Sequence, residues 1–469
     1  MFCQLDALQH CIPPNLRQYL DELPETLDET YDRILKGISK SQKDNAHRLL
    51  QCLTVAVRPL LVEELAELLA FDFQASSSGG IPTLKEDWRW DNEEEAVLST
   101  CSGLITIIPR DDTRVVQFSH FSVKEYLTSP RLARSPHGDI SRFRIDLEPA
   151  HTIMAQACLA TLLRLDEHDG KCETKASPLL RYAAQHWVDH AQFEEVSSRF
   201  QGSMDDLFDI SKSHFAAWLR VHNIDKDWPI FAPASTSSGS PLYYAAFCGF
   251  HNLAERLITK HPEQVNAHGG CNLFPLPAAL HKRHFHVANL LYRYGAVVDV
   301  QGDYDFTPLY AASYDGHVDI MRWLLNHGAD ANAFCSGFTP LIEAASEMHL
   351  EAVQVLLEHN ADINLRNKYG DTPLNWILSH NGSEGKLVDM VRQLLEHGAD
   401  PNICNDKHKT PLHGALSHGL LDAARLLLSY GAKVDEKDGS GKTPLQVAAS
   451  KRLDEMTKLL VEYGAVPPP

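Results

Sequence analysis

No two of the ten cysteines stand at Cys-x-x-Cys spacing, and their positions follow no regular interval. That argues against a zinc or redox framework and points to reduced thiols in a cytosolic protein. Long apolar runs are missing too: none approaches the ~18 residues needed to span a bilayer. The start, Met1-Phe2-Cys3-Gln4-Leu5-Asp6, has neither the basic nor the apolar stretch of a leader. These absences predict a soluble cytoplasmic chain with no membrane partner.

Positive charge is scarce. The formal net charge is −19; residues 1–235 hold 24 basic and 36 acidic side chains and residues 236–469 hold 19 and 26, so neither half offers a footprint for a phosphate backbone. Nucleic acid is not expected as a partner. Gly-x-Ser-x-Gly and His-Glu-x-x-His are both absent. Gly439-Ser440-Gly441-Lys442-Thr443 resembles a phosphate loop in part, but Glu436 stands where the first glycine belongs and Thr443-Pro444 opens a helix of another kind. His281, His284 and His286 lack an acidic or thiol partner at ligand spacing. No catalytic residue, cofactor or metal is expected.

What the chain does have is a motif written seven times. Ser240-Pro241-Leu242, Phe274-Pro275-Leu276, Thr307-Pro308-Leu309, Thr339-Pro340-Leu341, Thr372-Pro373-Leu374, Thr410-Pro411-Leu412 and Thr443-Pro444-Leu445 place prolines 34, 33, 32, 33, 38 and 33 residues apart. A fixed period near 33 predicts a solenoid. Proline in the first helical turn loses no hydrogen bond, and Thr before it supplies a capping oxygen. Small residues follow, then a break such as Asp315-Gly316-His317, then a second helix whose apolar residues share one face and which stops at a glycine such as Gly328. Each unit is thus helix, turn, helix and polar loop.

These residues resemble the ankyrin repeat, with its Gly-x-Thr-Pro-Leu-His-x-Ala-Ala opening and Leu-Leu-x-x-Gly-Ala-Asp close. Repeats three and six keep most of the pattern. Repeats one and two are degenerate, with Pro277 extra in the second, and should pack less regularly. Repeat five replaces the small pair by Ile377-Leu378 and carries an insertion at His380–Gly385, expected to bulge between its helices. The resemblance implies a protein-binding module with no enzyme activity, presenting its loop tips and inner helix ends along a concave face. There the candidate partner-binding residues are Tyr304, Phe306, Tyr314, Phe338 and Tyr369, with His281, Lys282, Lys368 and Lys407 nearby. Repeats six and seven put Lys407, Lys409, Ser440 and Lys442 at the matching tips.

The first half reads as helices followed by a wing. Residues 1–43 carry Leu16, Leu20, Leu27, Tyr31, Ile34, Leu35 and Ile38 on one helical face. Residues 44–135 read as three helices, near 45–57, 62–71 and 93–102, then strands 104–108 and 114–118, the order of a winged helix. Its third helix begins Asp91-Asn92-Glu93-Glu94-Glu95, which repels phosphates. Residues 144–232 read as helical, and 227–239 as the linker to repeats over 238–469.

Leu23–Leu35, Phe118–Leu127 and Pro178–Trp187 resemble segments that follow the nucleotide-binding domain in fungal NACHT proteins, signalling ATPases of the NLR-like class that also carry ankyrin repeats. That resemblance implies the C-terminal part of such a protein, with no nucleotide domain of its own here. In the family the histidine matching His120 contacts the terminal phosphate of ADP, so His120 is a nucleotide-sensing candidate where a NACHT domain is supplied. The expected fold is mainly α: winged-helix and helical domains followed by an ankyrin solenoid. The expected function is a non-catalytic interaction scaffold with a protein partner, the alternative being the sensor part of a NACHT ATPase.

Overall fold

The structure, a computed structural model, describes residues 26–73, 80–133, 139–165, 177–193, 196–222, 224, 239–270, 274–302, 306–380 and 384–466. The expected helix before residue 26, nearly all of the linker, Tyr304 and the core of the repeat-five insertion lie outside those residues. The rest forms two compact units, one ending at His261 and the other running from Pro262.

In the first unit the Thr26 side chain accepts the Glu29 N–H at 3.2 Å and starts α1 (Leu27–Gly37). Then come α2 (Lys43–Val55), β1 (Leu60–Leu61), α3 (Val62–Leu69), β2 (Phe71–Asp72), β3 (Thr83–Leu84), α4 (Glu93–Cys101) and the hairpin β4 (Ile105–Arg110) and β5 (Thr113–Phe118). Antiparallel pairing in the order β1-β5-β4 makes the winged helix that the sequence predicts. β1, β2 and β3 were not expected. Two residues leave no alternation to read.

α5 (Phe121–Thr128), α6 (Pro130–Ala133), α7 (Leu147–Leu162), α8 (Leu180–Ala191), α9 (Gln201–Leu207) and α10 (His214–Val221) follow. Of two buried carboxylates, Glu67 ties this region to the winged helix and Glu64 braces the winged helix within itself. Glu67 accepts from the Leu179 N–H at 2.7 Å and from Arg89 at 2.6 Å, and Glu64 is held by both Arg58 guanidinium nitrogens. Burying a charge is tolerable only with such partners. Tyr182 adds a second tie: its hydroxyl takes the Val57 N–H and lies 2.9 Å from His190 Nε2, while His190 Nδ1 lies 3.0 Å from His151.

The first repeat, α11 (Pro241–Phe247) and α12 (His251–Lys260), belongs to this unit. Phe250 stacks on Trp187 at 5.3 Å, Tyr244 meets Phe215 edge-on at 5.6 Å, and Arg256 holds Asp205 with two bonds. The unit boundary therefore falls one repeat later than the point where the repeats begin.

Repeats two to seven make the second unit. First helices (Pro275–His281, Pro308–Asp315, Pro340–Ser346, Pro373–His380, Pro411–His418, Pro444–Ser450) alternate with second helices (Phe285–Arg293, Val318–Asn326, Leu350–Glu358, Glu384–Glu396, Leu421–Ser429, Asp454–Glu462). The expected caps are made: Thr307, Thr339 and Thr372 each accept the N–H three residues on at 3.2 Å. Pro277 is absorbed in the first turn, where its missing N–H has no helical partner. Part of repeat five's extra length lies in its second helix, which has 13 residues against nine in repeat three.

Neighbouring repeats are clasped through side-chain amides. Asn332 Oδ1 accepts the Asp362 N–H at 2.8 Å while its Nδ2 donates to the Asn360 carbonyl at 3.4 Å. Asn364 does the same for Asp400 and Gly398, Asn402 for Lys433 and Gly431, and Asn266 for Val297 and Gly295. Asp299 occupies this place in repeat two and can only accept. Its Oδ2 takes the Asp330 N–H at 3.0 Å, Oδ1 is buried without a partner, and burial holds its pKa above the usual carboxylate range.

Asp299→Asn is expected to add the missing bond to the Gly328 carbonyl and raise the melting temperature of the repeats by a few degrees, about 1 kcal/mol. Because the folded state favours the protonated acid, the wild-type penalty grows as pH rises through the carboxylate range, so the gain should be larger near pH 7 than below pH 4. Unchanged melting near neutrality would count against the clasp. His190 has the opposite sign: burial, with His151 adding, lowers its pKa from 6.5 to about 3, so its contribution is complete above pH 6.5 and lost as pH falls. Melting curves near pH 7.5 and pH 5 should show a loss of about 2 kcal/mol from this residue that His190→Gln abolishes. Parallel losses in wild type and variant would rule it out.

Candidate functional site

Repeats four to seven each open with a short hairpin that forms the tip. In repeat five the Asn367 N–H donates to the Asp371 carbonyl and its Oδ1 accepts the N–H groups of Tyr369 and Asp371. Asn405 repeats the arrangement with Lys407 and Lys409, and Asp438 with Ser440 and Lys442. Such side-chain-capped turns suit Asn and Asp. Repeat four differs. A Cys335–Phe338 bridge with Ser336 and Gly337 at φ 53 and 88 makes its turn one residue shorter, which accounts for the 32-residue spacing of Pro308 and Pro340.

Successive tips are joined through their backbones. Lys368 N–H donates to the Gly337 carbonyl at 2.9 Å, Asp406 to Tyr369 at 3.2 Å, and Gly439 to Lys407 at 3.0 Å. The side chains on these tips are thus held in register.

At repeats four and five the register gathers an aromatic cluster. Phe338 meets Tyr369 at 6.1 Å and Trp376 at 4.9 Å, both edge-on; Tyr369 and Trp376 are parallel at 6.0 Å, and His380 stacks on Trp376 at 3.8 Å. Lys368 Nζ lies 5.2 Å from the Phe338 ring and 5.3 Å from that of Tyr369, within cation–π reach. Its stem crosses Gly337, where a Cβ would lie 2.7 Å from Lys368 Cδ. Tyr369 is 51% exposed, so packing against its neighbours leaves half of it for another molecule.

Phe306 and Tyr314 lie one repeat away. Phe306 stacks on buried Tyr310 at 4.9 Å, and Tyr310 bonds the half-buried Glu343, whose pKa burial raises. Tyr314 is half-buried, and its carbonyl lies 3.0 Å from His349 Nε2. Of the flanking residues, Lys368 joins the cluster and Lys407 is exposed on the next tip. His281 is half-buried, its pKa lowered to about 4 by burial and then by Lys282 and His317. Trp376 was not anticipated: it stands inside the first helix, just before the small-pair slot filled by Ile377-Leu378, and not at the tip positions where the other aromatics recur.

The phosphate-loop lookalike is differently employed. Ser440 and Lys442 N–H groups both donate to Asp438 Oδ1 at 2.9 Å, Gly441 to the Asp438 carbonyl and Gly439 to Lys407, so the amides a phosphate would need are already engaged. Glu94 on α4 and Glu63 on α3 both reach Arg114 of the wing. Among the described residues no group of three His, Cys, Asp or Glu could hold a metal ion, and no helix is long and apolar enough to cross a membrane.

His120 is exposed at the N-cap of α5. Its Nδ1 accepts the Ser122 N–H at 3.3 Å and lies 2.6 Å from Ser122 Oγ, which also meets the Tyr31 hydroxyl at 2.7 Å. An accepting Nδ1 fixes the tautomer with the proton on Nε2.

Comparison with known proteins identifies both parts of the chain. Residues between 242 and 468 match the ankyrin-repeat family in overlapping segments, and residues 31–136 match the winged helix domain of GPI inositol-deacylase. The azaphilone pigments biosynthesis cluster protein L of Monascus ruber is 32% identical over 299 residues, 60% of this chain and 61% of that protein. The ankyrin repeat protein nuc-2 of Neurospora crassa is 32% identical over 97 residues, 21% of this chain and 9% of that one. The chain thus spans less than two thirds of these relatives. The ankyrin repeat domain of Bcl-3 superposes with a TM-score of 0.43 at 29% identity, covering 47% of this chain and all of that one.

Calorimetry with millimolar ATP or ADP should detect no binding by this chain, and Lys442→Ala should leave the titration unchanged. Heat of binding that disappears in the variant would show that the Gly439–Thr443 amides can exchange Asp438 for a phosphate.

Proposed function

We propose that this chain, an ankyrin-repeat protein with a winged-helix domain, is a non-catalytic scaffold that captures a protein partner on the concave face of its tips and first helices. The observation that carries the reading is the Phe338–Tyr369–Trp376 cluster, part-exposed and held by tip-to-tip backbone bonds. Rigid aromatics lose little conformational freedom on binding and supply large contact areas, the usual character of interface anchors. Phe306 and Tyr314 extend the surface, and Tyr304 belongs to it by sequence position. Buried thiols support a reducing, cytoplasmic setting: burial pushes Cys52 and Cys101 up to about 12, where they are inert.

A second reading has residues 44–135 and 144–232 as the regulatory and sensor part of a NACHT-type ATPase, with the nucleotide domain supplied outside the residues seen here. His120 favours it, being exposed with a donor Nε2–H able to meet a phosphate oxygen.

The first reading predicts that Trp376→Ala with Tyr369→Ala removes the principal protein captured from cell extract, because losing a central interface aromatic costs about 2 kcal/mol or more. Tyr430→Ala with Tyr463→Ala, on exposed second-helix ends, should leave capture intact. Quantitative mass spectrometry of the captured material, with a melting curve for each variant, decides. Equal capture by both pairs would remove the aromatic face from the interaction.

A further inference from the structure

The face that carries the aromatic cluster changes charge along its length. Just before each capping Thr stand, from repeat three to repeat seven, Phe306, Phe338, Asp371, Lys409 and Lys442. Near the ends of the first helices stand Asp315, Glu347, His380, His418 and Lys451. Both rows turn basic toward repeat seven. Asp371 is buried and accepts from Asn405 Nδ2 at 2.8 Å, so it is spent inside the tips.

Among the described residues no ion pair engages the tip lysines, although Asp438 lies within electrostatic reach of Lys409 and Asp371 of Lys407. Arg366 pairs with Asp406 at 2.8 Å, but Lys368, Lys407, Lys409 and Lys442 form no ion pair with a described carboxylate, and Lys368, Lys407 and Lys442 are exposed. Three ammonium groups outside any ion pair on the adjoining tips of repeats six and seven, Lys407, Lys409 and Lys442, stand out in a chain of net charge −19. Like charges held together by tip-to-tip bonds raise the potential there and attract an anionic partner.

Resting on the scaffold reading above, we infer that the partner presents an extended acidic segment with an aromatic or large aliphatic residue at one end. The anchor packs against Trp376 and Phe338, and the carboxylates run over the tips of repeats six and seven toward Lys407, Lys409 and Lys442. Neighbouring repeats lie about 10 Å apart, the spacing of packed helices. From repeat five to repeat seven is therefore about 20 Å, or about six to seven residues of extended chain.

Single-stranded nucleic acid would also join anions to stacking rings, but it carries a phosphate at every residue. Part of it would have to cross the aromatic end, where the row of first-helix ends carries Asp315 and Glu347 and where Glu343 bonds Tyr310. A peptide can confine its carboxylates to one end. The charge gradient selects that molecule.

The test is selection of a phage-displayed library of random peptides of about 12 residues on the full chain, followed by fluorescence anisotropy with the enriched sequences. Enrichment of clustered Asp and Glu beside an aromatic or Leu, Ile or Met residue is expected. Lys407→Glu with Lys442→Glu, both exposed and checked by melting, should weaken those peptides at least about tenfold, as should raising salt severalfold, and Trp376→Ala should weaken them by a similar factor. If Trp376→Ala abolishes binding while charge reversal leaves it unchanged, or if neutral or basic peptides are enriched, the acidic partner is wrong and the scaffold reading stands. Failure to enrich any peptide, or displacement of the selected ones by oligothymidine with no loss in the Trp376 variant, overturns both.

Discussion

A side-chain amide that accepts from one backbone N–H and donates to a carbonyl two residues away sets the register of the repeats. Asn266, Asn332, Asn364 and Asn402 each make this double bond to the turn of the following repeat. The turn they grip is the one where a glycine, or Asn360 at φ 63, adopts the left-handed conformation that ends a second helix. Stopping one helix and attaching the next repeat are therefore performed at one place. Everything on the opposite edge, including the tips, is carried on this spacing.

Because the clasp, the helix stack and the backbone bonds between tips hold the repeats together, the exposed tip side chains are released from that task and can carry chemistry that packing would not choose. Tyr369 is half exposed and Trp376 is only part-buried, and Lys407, Lys409 and Lys442 form no ion pair with a described carboxylate. The first unit follows the contrary rule. Its unusual groups, Glu64, Glu67 and His190, are buried and engaged, and Glu67 and the Tyr182–His190 pair join winged helix to helical region.

The period of the repeats was legible because Thr-Pro and Gly act locally: a cap and a left-handed stop need only their own neighbours in the chain. The winged-helix order was legible from apolar spacing and from the β-branched runs at Ile105–Ile108 and Val115–Val116. The clasp was not, since an Asn every 33 residues reads as loop polarity until its partner, 30 residues on, is brought beside it. The same limit hid the charged ties. Glu67 looks like an ordinary helix-surface residue, and only the approach of Leu179, 112 positions later, makes it an interior one. As for the site, the residue types of an aromatic face could be read from Phe338 and Tyr369, but Trp376 joins them through tertiary proximity and was passed over.

The abbreviated tip of repeat four bears on a general difficulty of periodic molecules. A stack of equivalent units has near-translational symmetry, so a ligand that fits one interval fits the next almost as well and its seat is degenerate. Removing one residue between Cys335 and Phe338 breaks that symmetry once, where Gly337 lets the Lys368 stem lie across the turn beneath two aromatic rings. The surface acquires an origin, and positions along it can be told apart by their distance from a single defect.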